Sequence, residues 1–348
     1  MRTFRPWIPA SLAACLLFSG WGAIHAAPID QQIDAIFRTA HENGKFNGTV
    51  LVMRKKQTIY EQSFGSADLE KKIANGPETR FPAFSILKTM TAVLVFQQIE
   101  AGRLQLTNSL DSFFPNLAGK PAGSLTLQQL LTHTSGISEV ISDHRDRRIT
   151  PQDLESATVK ATGEFEYSNT AYVCLALVLE TATGRSYESL FQERILDPAG
   201  MKDSGLLRTG RTVPGLAKGY QRKAGRLTFV GLNVAVEALD GAGSLYTTTR
   251  DLWRFDQALL GEKILSRKMQ QLMLTPQVKD RYAFGWFLSE QNGRYFPWHK
   301  GEFNGYASVL VRQIHREEVI VILSNLDECD VLELRTKTLR VLKAYKSL

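Results

Sequence analysis

The chain has 348 residues, of which 43% are hydrophobic and 22% are charged. Its 26 Gly and 12 Pro follow no repeating period, so the composition excludes collagen-like, coiled-coil and largely disordered proteins. The 42 Lys and Arg exceed the 35 Asp and Glu and give a net charge of +7, but no basic run is interleaved with aromatic residues. We therefore expect no nucleic-acid partner.

The N-terminus has the pattern of a secretory signal peptide. Arg2 and Arg5 precede an apolar stretch from about Ala10 to Ile24, and residues 24–26 suit cleavage after Ala26. The stretch is shorter than the roughly 20 apolar residues of a spanning helix, so we expect no stable membrane span after cleavage. Residues 1–26 are therefore predicted to direct export, and the mature protein to be periplasmic or secreted.

The three cysteines bear on lipidation and on disulfide formation. Cys15 ends a Leu-Ala-Ala-Cys sequence that looks like a lipoprotein cleavage box. Most of the apolar segment lies beyond it, so lipidation is the minor alternative. Cleavage after residue 26 leaves Cys174 and Cys329, which are too few for a disulfide framework. Cys174 stands in an apolar run and is predicted to be buried.

The mature chain begins with a predicted helix and a strand pair. Ile33, Ile36 and Phe37 have helical spacing. The β-rich segments 49–53 and 58–60 flank a polar connection and predict a hairpin. The segment 86–99 is apolar on almost every face and predicts an internal helix.

Helical segments dominate the middle of the chain, and strands return near its end. Predicted helices lie at 125–131, 171–180 and 252–260, strands at 284–288, 307–311 and 319–323, and a closing helix at 333–345. We predict an α/β (α+β) fold with a mainly antiparallel sheet formed by both chain ends and flanked by helices. In the catalytic domain, residues 27–348, the sheet part is about 27–80 and 275–348, and the inserted, mostly helical part is about 81–274.

A serine and a lysine stand three residues apart at the start of the internal helix. Ser85 and Lys88 would share one helix face, so the hydroxyl and the amine can touch. The helix N-terminus favours a developing anion, and apolar neighbours disfavour the ammonium form of Lys88. This pattern is typical of a serine nucleophile with a lysine base, although about one Ser-x-x-Lys is expected by chance in such a chain.

Two further motifs follow in the chain. In Tyr167-Ser168-Asn169, the tyrosine can relay protons and the asparagine can hold both a carbonyl oxygen and the lysine. Alone, the motif would more often be a helix N-cap with an amphipathic tyrosine. His299-Lys300-Gly301-Glu302 precedes strand-like residues, and such a strand edge can offer a backbone N–H to an oxyanion. A lone histidine there would usually be structural.

In order and spacing, these three motifs resemble those of the penicillin-binding-protein and class C β-lactamase superfamily, the β-lactamase-related serine hydrolases. The second motif is Tyr-x-Asn, as in class C enzymes and the D-Ala-D-Ala carboxypeptidases like them. The resemblance spans the chain from about Ile33 to its end. Matching phrases surround the motifs at 81–91, 125–136, 197–201 and 241–248.

The resemblance implies a role for each motif residue. Ser85 is the acylated nucleophile, Lys88 and Tyr167 share the roles of general base and acid, and Asn169 is a polar clamp. The backbone N–H groups of Ser85 and Glu302 form the oxyanion hole. The resemblance requires no metal and no cofactor.

The third motif departs from the usual Lys-Thr-Gly. His299-Lys300-Gly301 resembles the His-x-Gly of some D-peptidases and esterases of the superfamily. The change removes the lysine expected to recognise a β-lactam carboxylate. Lys300 would supply a cation in its place if its side chain faces the groove.

Some other polar residues are set aside. His133 and Ser135 are two apart and do not face each other in regular structure. His144 lies in a charged segment that is either a solvated loop or an entrance for anionic substrates, and Glu166 adjoins Tyr167 and points elsewhere. The histidines and carboxylates show no metal-binding spacing.

The sequence therefore predicts an exported serine hydrolase that acts through an acyl-enzyme on amides or esters. The expected substrates are D-amino-acid peptides, as for a carboxypeptidase, or esters, with peptidoglycan fragments as candidate partners. One alternative is a β-lactamase. The alternative from another class is a non-catalytic, penicillin-binding-type sensor of cell-wall fragments.

Overall fold

The structure is a computed structural model that describes residues 27–144, 146–279, 282–291 and 293–345. The predicted signal peptide, 1–26, and Cys15 lie outside the described residues, so cleavage and export stay predictions. Cys174 and Cys329 are both free and buried, as the apolar surroundings of Cys174 led us to expect. No helix of the described part is both long and apolar enough to cross a bilayer.

Long strands lie near both ends of the chain, and short strands lie between them. The strands are β1 (Gly48–Arg54), β2 (Gln57–Phe64), β3 (Ser66–Asp68), β4 (Ile73–Ala74), β5 (Phe81–Pro82), β6 (Gly205–Leu206), β7 (Gly219–Lys223), β8 (Arg226–Val230), β9 (Leu245–Thr247), β10 (Phe287–Gln291), β11 (Arg294–Phe303), β12 (Tyr306–Gln313) and β13 (Glu318–Ser324).

The principal sheet has six antiparallel strands in the order β10-β11-β12-β13-β1-β2. One of its inner pairings joins the two ends of the chain, since β1 and β13 run from Gly48 opposite Ser324 to Arg54 opposite Glu318. This confirms the predicted fold class, a mainly antiparallel sheet built by both termini.

The helices close the ends of the chain and fill its middle. They are α1 (Ile29–Glu42), α2 (Leu87–Glu100), α3 (Leu127–Leu131), α4 (Asn169–Thr183), α5 (Tyr187–Phe191), α6 (Asp197–Ala199), α7 (Thr249–Leu260), α8 (Arg267–Met273) and α9 (Val331–Ala344).

The sheet separates two apolar cores because successive residues of a strand point to opposite faces. On β1, Val50 and Val52 pack with Ile33 and Phe37 of α1 on one face. Leu51 points to the other face, into the core that holds α2 and α4. Both faces of the central strands are therefore covered, which explains why these strands are almost continuously apolar.

One predicted strand boundary was wrong, and one strand pair was not predicted. The strand predicted from residue 284 begins at Phe287, because Gly285 adopts a φ of +81° in a turn packed on α2. A side chain at Gly285 would lie 2.7 Å from Cβ of Ala92, so only glycine fits this turn. In the middle of the chain, where the sequence predicts mainly helices, β7 and β8 pair as a hairpin.

Candidate active site

Ser85 lies in a 3₁₀ turn, Phe84–Ile86, between β5 and the first turn of α2. Phe84 has a φ of 44°, a left-handed conformation that is strained for a residue with a side chain. Ser85 is partly exposed, whereas both of its neighbours are buried. The turn therefore holds the hydroxyl at the surface of an otherwise closed core.

Lys88 is fully buried, and its amine has three partners. Nζ lies 3.1 Å from Oγ of Ser85, 2.8 Å from Oδ1 of Asn169 and 2.8 Å from the carbonyl oxygen of Ala242. The two carbonyl oxygens can only accept hydrogen bonds. An uncharged amine has two N–H groups for these oxygens and one lone pair left, which faces the serine hydroxyl.

The electrostatics of Lys88 agree with this geometry. Burial lowers the pKa of Lys88 to about 7, and the negative charge of Glu139 opposes part of that effect. A large fraction of the amine is therefore uncharged at neutral pH. Glu139 was not singled out in the sequence. It accepts a hydrogen bond from the backbone N–H of Asn169 at 2.8 Å and so lies at the N-terminus of α4.

Tyr167 and Asn169 are placed by the start of α4. Ser168 caps this helix, its hydroxyl accepting from the N–H of Ala171 at 3.1 Å. Burial of the phenol of Tyr167 raises its pKa well above the ordinary value, and the nearby Ser85 side chain opposes part of that rise. Tyr167 is therefore a neutral phenol at neutral pH. The N-cap interpretation and the relay interpretation are both compatible with this position.

His133 packs against the second motif. No role was predicted for it from the sequence, because it is too close to Ser135 to pair with it. Its Nδ1 accepts from the backbone N–H of Ser168 at 3.1 Å, and its ring lies 4.3 Å from the ring of Tyr167. Burial lowers the pKa of His133 well below its usual range, so the ring stays neutral. His133 lies in the segment 125–136, which matches the family. Its hydrogen-bond partner, Ser168, is 35 residues away, so the contact could not be predicted from sequence spacing.

The third motif lies on β11, next to the Ser85 turn. His299 is buried and hydrogen-bonds through Nδ1 to the carbonyl oxygen of Lys300 at 2.7 Å. Burial lowers the pKa of His299 to about 3, so it carries no charge at neutral pH. Gly301 lets the strand approach closely, since a side chain there would lie 2.0 Å from the carbonyl oxygen of Ala83.

Lys300 and Glu302 form an ion pair on the open side of β11. Nζ of Lys300 lies 2.7 Å from Oε2 of Glu302, and both side chains are well exposed. The side chain of Lys300 faces the groove, which the sequence alone did not determine. Its charge is already matched by the carboxylate two residues later.

One cavity of about 340 Å³ joins the three motifs. Lys88 lies beneath it, bonded to Ser85 and Asn169, and Gly301 lies between the lining residues Lys300 and Glu302. The structure thus brings all eight predicted site residues together. The lining comprises Phe84, Ser85, Phe165, Tyr167, Asn169, Leu239, Ala242, Gly243, Phe287, His299, Lys300, Glu302 and Phe303.

Two residues set aside in the sequence have local partners. Glu166 forms an ion pair with Lys160 at 2.6 Å. Nε2 of His144 lies 3.4 Å from a carboxylate oxygen of Asp153. Within the described residues, no group of three or more histidine, cysteine or acidic side chains is arranged to hold a metal ion.

Residues 33–344 match the model of the β-lactamase family, and the chain belongs to that family. The family resemblance predicted from the motifs is therefore confirmed. The family is one of serine hydrolases, so the predicted enzyme class is confirmed at the level of the family.

Several more specific similarities accompany the family match. PbpX of Bacillus subtilis (strain 168), named as a penicillin-binding protein, is 33% identical over 250 residues, 70% of this chain and 62% of that protein. A teichoic acid D-alanine hydrolase of Staphylococcus aureus (strain MRSA252) is 28% identical over 267 residues, 73% of this chain and 66% of its own length. The chain thus spans less than two thirds of either relative.

The solved structures agree with the fold. The crystal structure of a D-amino acid amidase from Ochrobactrum anthropi SV3 has a TM-score of 0.79 and 22% identity, with 91% of this chain and 99% of that chain covered. At this identity the likeness shows the shared β-lactamase-like fold.

Proposed function

We propose that this protein is an exported serine hydrolase that cleaves amides or esters through an acyl-enzyme on Ser85. The observation that carries the proposal is the environment of Lys88, whose amine has two carbonyl acceptors and a serine hydroxyl 3.1 Å away. In that arrangement the lone pair of the uncharged amine can take the hydroxyl proton.

In the acylation step, the proton of the Ser85 hydroxyl moves to Nζ of Lys88 as Oγ bonds to the substrate carbonyl carbon. The bond from that carbon to the leaving nitrogen or oxygen then breaks, and the leaving group receives a proton from Tyr167, which is restored from Lys88. The ring centroid of Tyr167 lies 4.8 Å from Nζ of Lys88, and Tyr167 lines the same cavity as Ser85, so its phenol can pass the proton from Lys88 to the leaving group.

The backbone N–H of Glu302 is proposed to bind the developing oxyanion together with that of Ser85. Phe303 and Tyr306 flank the two-residue turn between β11 and β12. In an antiparallel ladder, hydrogen-bonded and non-bonded pairs alternate. If the pair at the turn is the bonded one, the N–H of Glu302 points away from β12, towards the open edge of β11.

Deacylation reverses the proton movements. A water molecule attacks the acyl carbonyl carbon and gives its proton to the base formed by Lys88 and Tyr167. The carbon–Oγ bond then breaks, Ser85 regains a proton, and a carboxylic acid leaves.

A D-amino acid residue is the proposed acyl group. Two similar proteins of different organisms bear names that refer to D-amino acids, a teichoic acid D-alanine hydrolase and a D-amino acid amidase. Export would bring this enzyme to cell-wall material, so peptidoglycan fragments are the proposed natural source. A β-lactamase activity is favoured by the family but disfavoured by His299-Lys300-Gly301.

The proposal is tested by covalent labelling followed by turnover. A fluorophosphonate is expected to label the purified protein once, and peptide mapping is expected to find the adduct on Ser85. D-amino acid amides, D-Ala-D-Ala peptides, short-chain esters and a chromogenic cephalosporin are then compared, with L-amino acid amides as the stereochemical control.

Each outcome of this comparison has a definite meaning. Absence of an adduct, or an adduct on another residue, contradicts the proposal. Acylation without recovery of free enzyme supports the sensor instead. Cephalosporin turnover of about 1 to 1,000 per second would identify a β-lactamase.

The pH dependence of acylation follows from the pKa of Lys88. The base must be uncharged, and burial sets the pKa of Lys88 to about 7. We expect kcat/KM to rise about tenfold per pH unit below 7 and to level off above it. A profile measured between pH 5 and 9 that is flat, or that falls with rising pH, would exclude Lys88 as the base. His299, with its pKa lowered to about 3 by burial, does not titrate in that range.

A further inference from the structure

The ion pair at the mouth of the cavity bears on which substrates the site accepts. Residues two apart in a strand point to the same side, so Lys300 and Glu302 both project from β11 beside the cavity. Their charged atoms lie 2.7 Å apart. The backbone of Glu302 contributes an N–H to the proposed oxyanion hole, so the carboxylate of Glu302 lies close to the reacting carbonyl.

The described lining of the cavity offers no other free cation. His299 is neutral because burial lowers its pKa to about 3. Lys88 lies below the floor, and its N–H groups point at the oxygens of Asn169 and Ala242. Among the described lining residues, Lys300 is thus the one cation that could bind a substrate carboxylate. Its ammonium group is already ion-paired with Glu302.

The remaining walls favour uncharged groups. Phe84 and Phe303 are in ring contact at 5.2 Å on one side of the cavity. Phe165 and Phe287, whose ring centroids are 6.4 Å apart, and Leu239 also line the cavity. A carboxylate entering here would lose water to apolar walls without gaining a free positive partner.

We propose that the Lys300–Glu302 ion pair is a specificity determinant that selects substrates without a carboxylate near the scissile bond, namely esters and amides with an uncharged leaving group. The proposal rests on the proposed serine hydrolase function and names the substrate class of that site. A substrate carboxylate must displace the carboxylate of Glu302 from Lys300, and the negative charge of Glu302 repels it. An uncharged leaving group avoids both costs.

The size of the effect follows from the exposure of the pair. Exposed ion pairs are worth little in free energy, because water and salt screen them. We therefore expect discrimination of about fivefold rather than many orders of magnitude. We also expect it to weaken with salt, since rim charges act over distances that salt screens.

The test uses two chromogenic esters with the same acyl group, a 4-nitrophenyl ester and its 3-carboxy-4-nitrophenyl counterpart. The wild-type enzyme is expected to have the higher kcat/KM for the uncharged ester. Glu302→Gln keeps the backbone N–H and the side-chain size but releases Lys300. It should raise the kcat/KM ratio of the charged to the uncharged ester about fivefold, mainly through KM.

A double variant identifies the group responsible. Lys300→Met combined with Glu302→Gln removes the released cation and should lose most of the gain seen in Glu302→Gln. Equal wild-type kcat/KM values for the two esters, or an unchanged ratio in Glu302→Gln, would overturn this specificity proposal while leaving the hydrolase function standing. A protein that cleaves neither ester and takes no label on Ser85 would instead overturn the hydrolase function, and this proposal with it.

Discussion

A Lys88→Met variant is expected to acylate Ser85 at least about a hundredfold more slowly than the wild type at neutral pH, as general-base loss predicts. Methionine fills a similar volume but has no amine, so Ser85 keeps its proton until water removes it. The phenol of Tyr167 cannot replace the amine as base at this pH, because withdrawal from water raises its pKa well above the ordinary value.

The same variant tests how the amine is held. Oδ1 of Asn169 and the carbonyl oxygen of Ala242 lose their N–H partner in Lys88→Met. Some stability is lost with these hydrogen bonds, and some is gained because a buried amine is removed. We therefore expect a folded protein, whose thermal unfolding should be measured beside its acylation rate.

A surface lysine supplies the matched control. Lys120→Met makes the same chemical change at an exposed position, and its acylation rate should equal that of the wild type. In Lys88→Met, the rise of kcat/KM near pH 7 should also disappear. A folded Lys88→Met protein that retains more than a tenth of the wild-type rate would contradict the role of Lys88.

Much of the fold could be predicted because its signals are local. The apolar periodicity of residues 33–37 and the all-round apolar segment 86–99 correspond to α1 and α2. The sheet could be inferred from β-rich segments at both ends of the chain. The β7–β8 hairpin was missed, since Gly219–Lys223 is largely polar and Arg226–Val230, although it alternates polar and apolar residues, is a short segment with no fully buried side chain.

The site residues were found through motif order, whereas their supports depend on long-range packing. Ser85 and Lys88 are neighbours on one turn, and their contact follows from helical geometry. The carbonyl of Ala242, 154 residues from Lys88, has no side-chain signature at all. The pairing of Lys300 with Glu302 depends on rotamers that a strand pattern does not specify.

Gly301→Ala is expected to lower kcat/KM by about a hundredfold to a thousandfold, comparable to the loss of one oxyanion-hole donor. The new Cβ would lie 2.0 Å from the carbonyl oxygen of Ala83 and 2.8 Å from Oγ of Ser308. The hydroxyl of Ser308 can rotate, but the Ala83 carbonyl belongs to the backbone two residues before Ser85. β11 and the Ser85 turn must therefore move apart.

That movement separates the two halves of the proposed oxyanion hole, because the N–H of Ser85 lies on the turn and that of Glu302 lies on β11. Gly76→Ala is the matched control, since a Cβ at Gly76 meets no atom within 4 Å and its φ is not left-handed. We expect Gly301→Ala to lower kcat/KM at every pH, while the rise of kcat/KM near pH 7 that Lys88 causes stays unchanged. A folded Gly301→Ala enzyme within fivefold of wild-type kcat/KM would show that the approach of β11 to Ala83 does not position the reacting carbonyl.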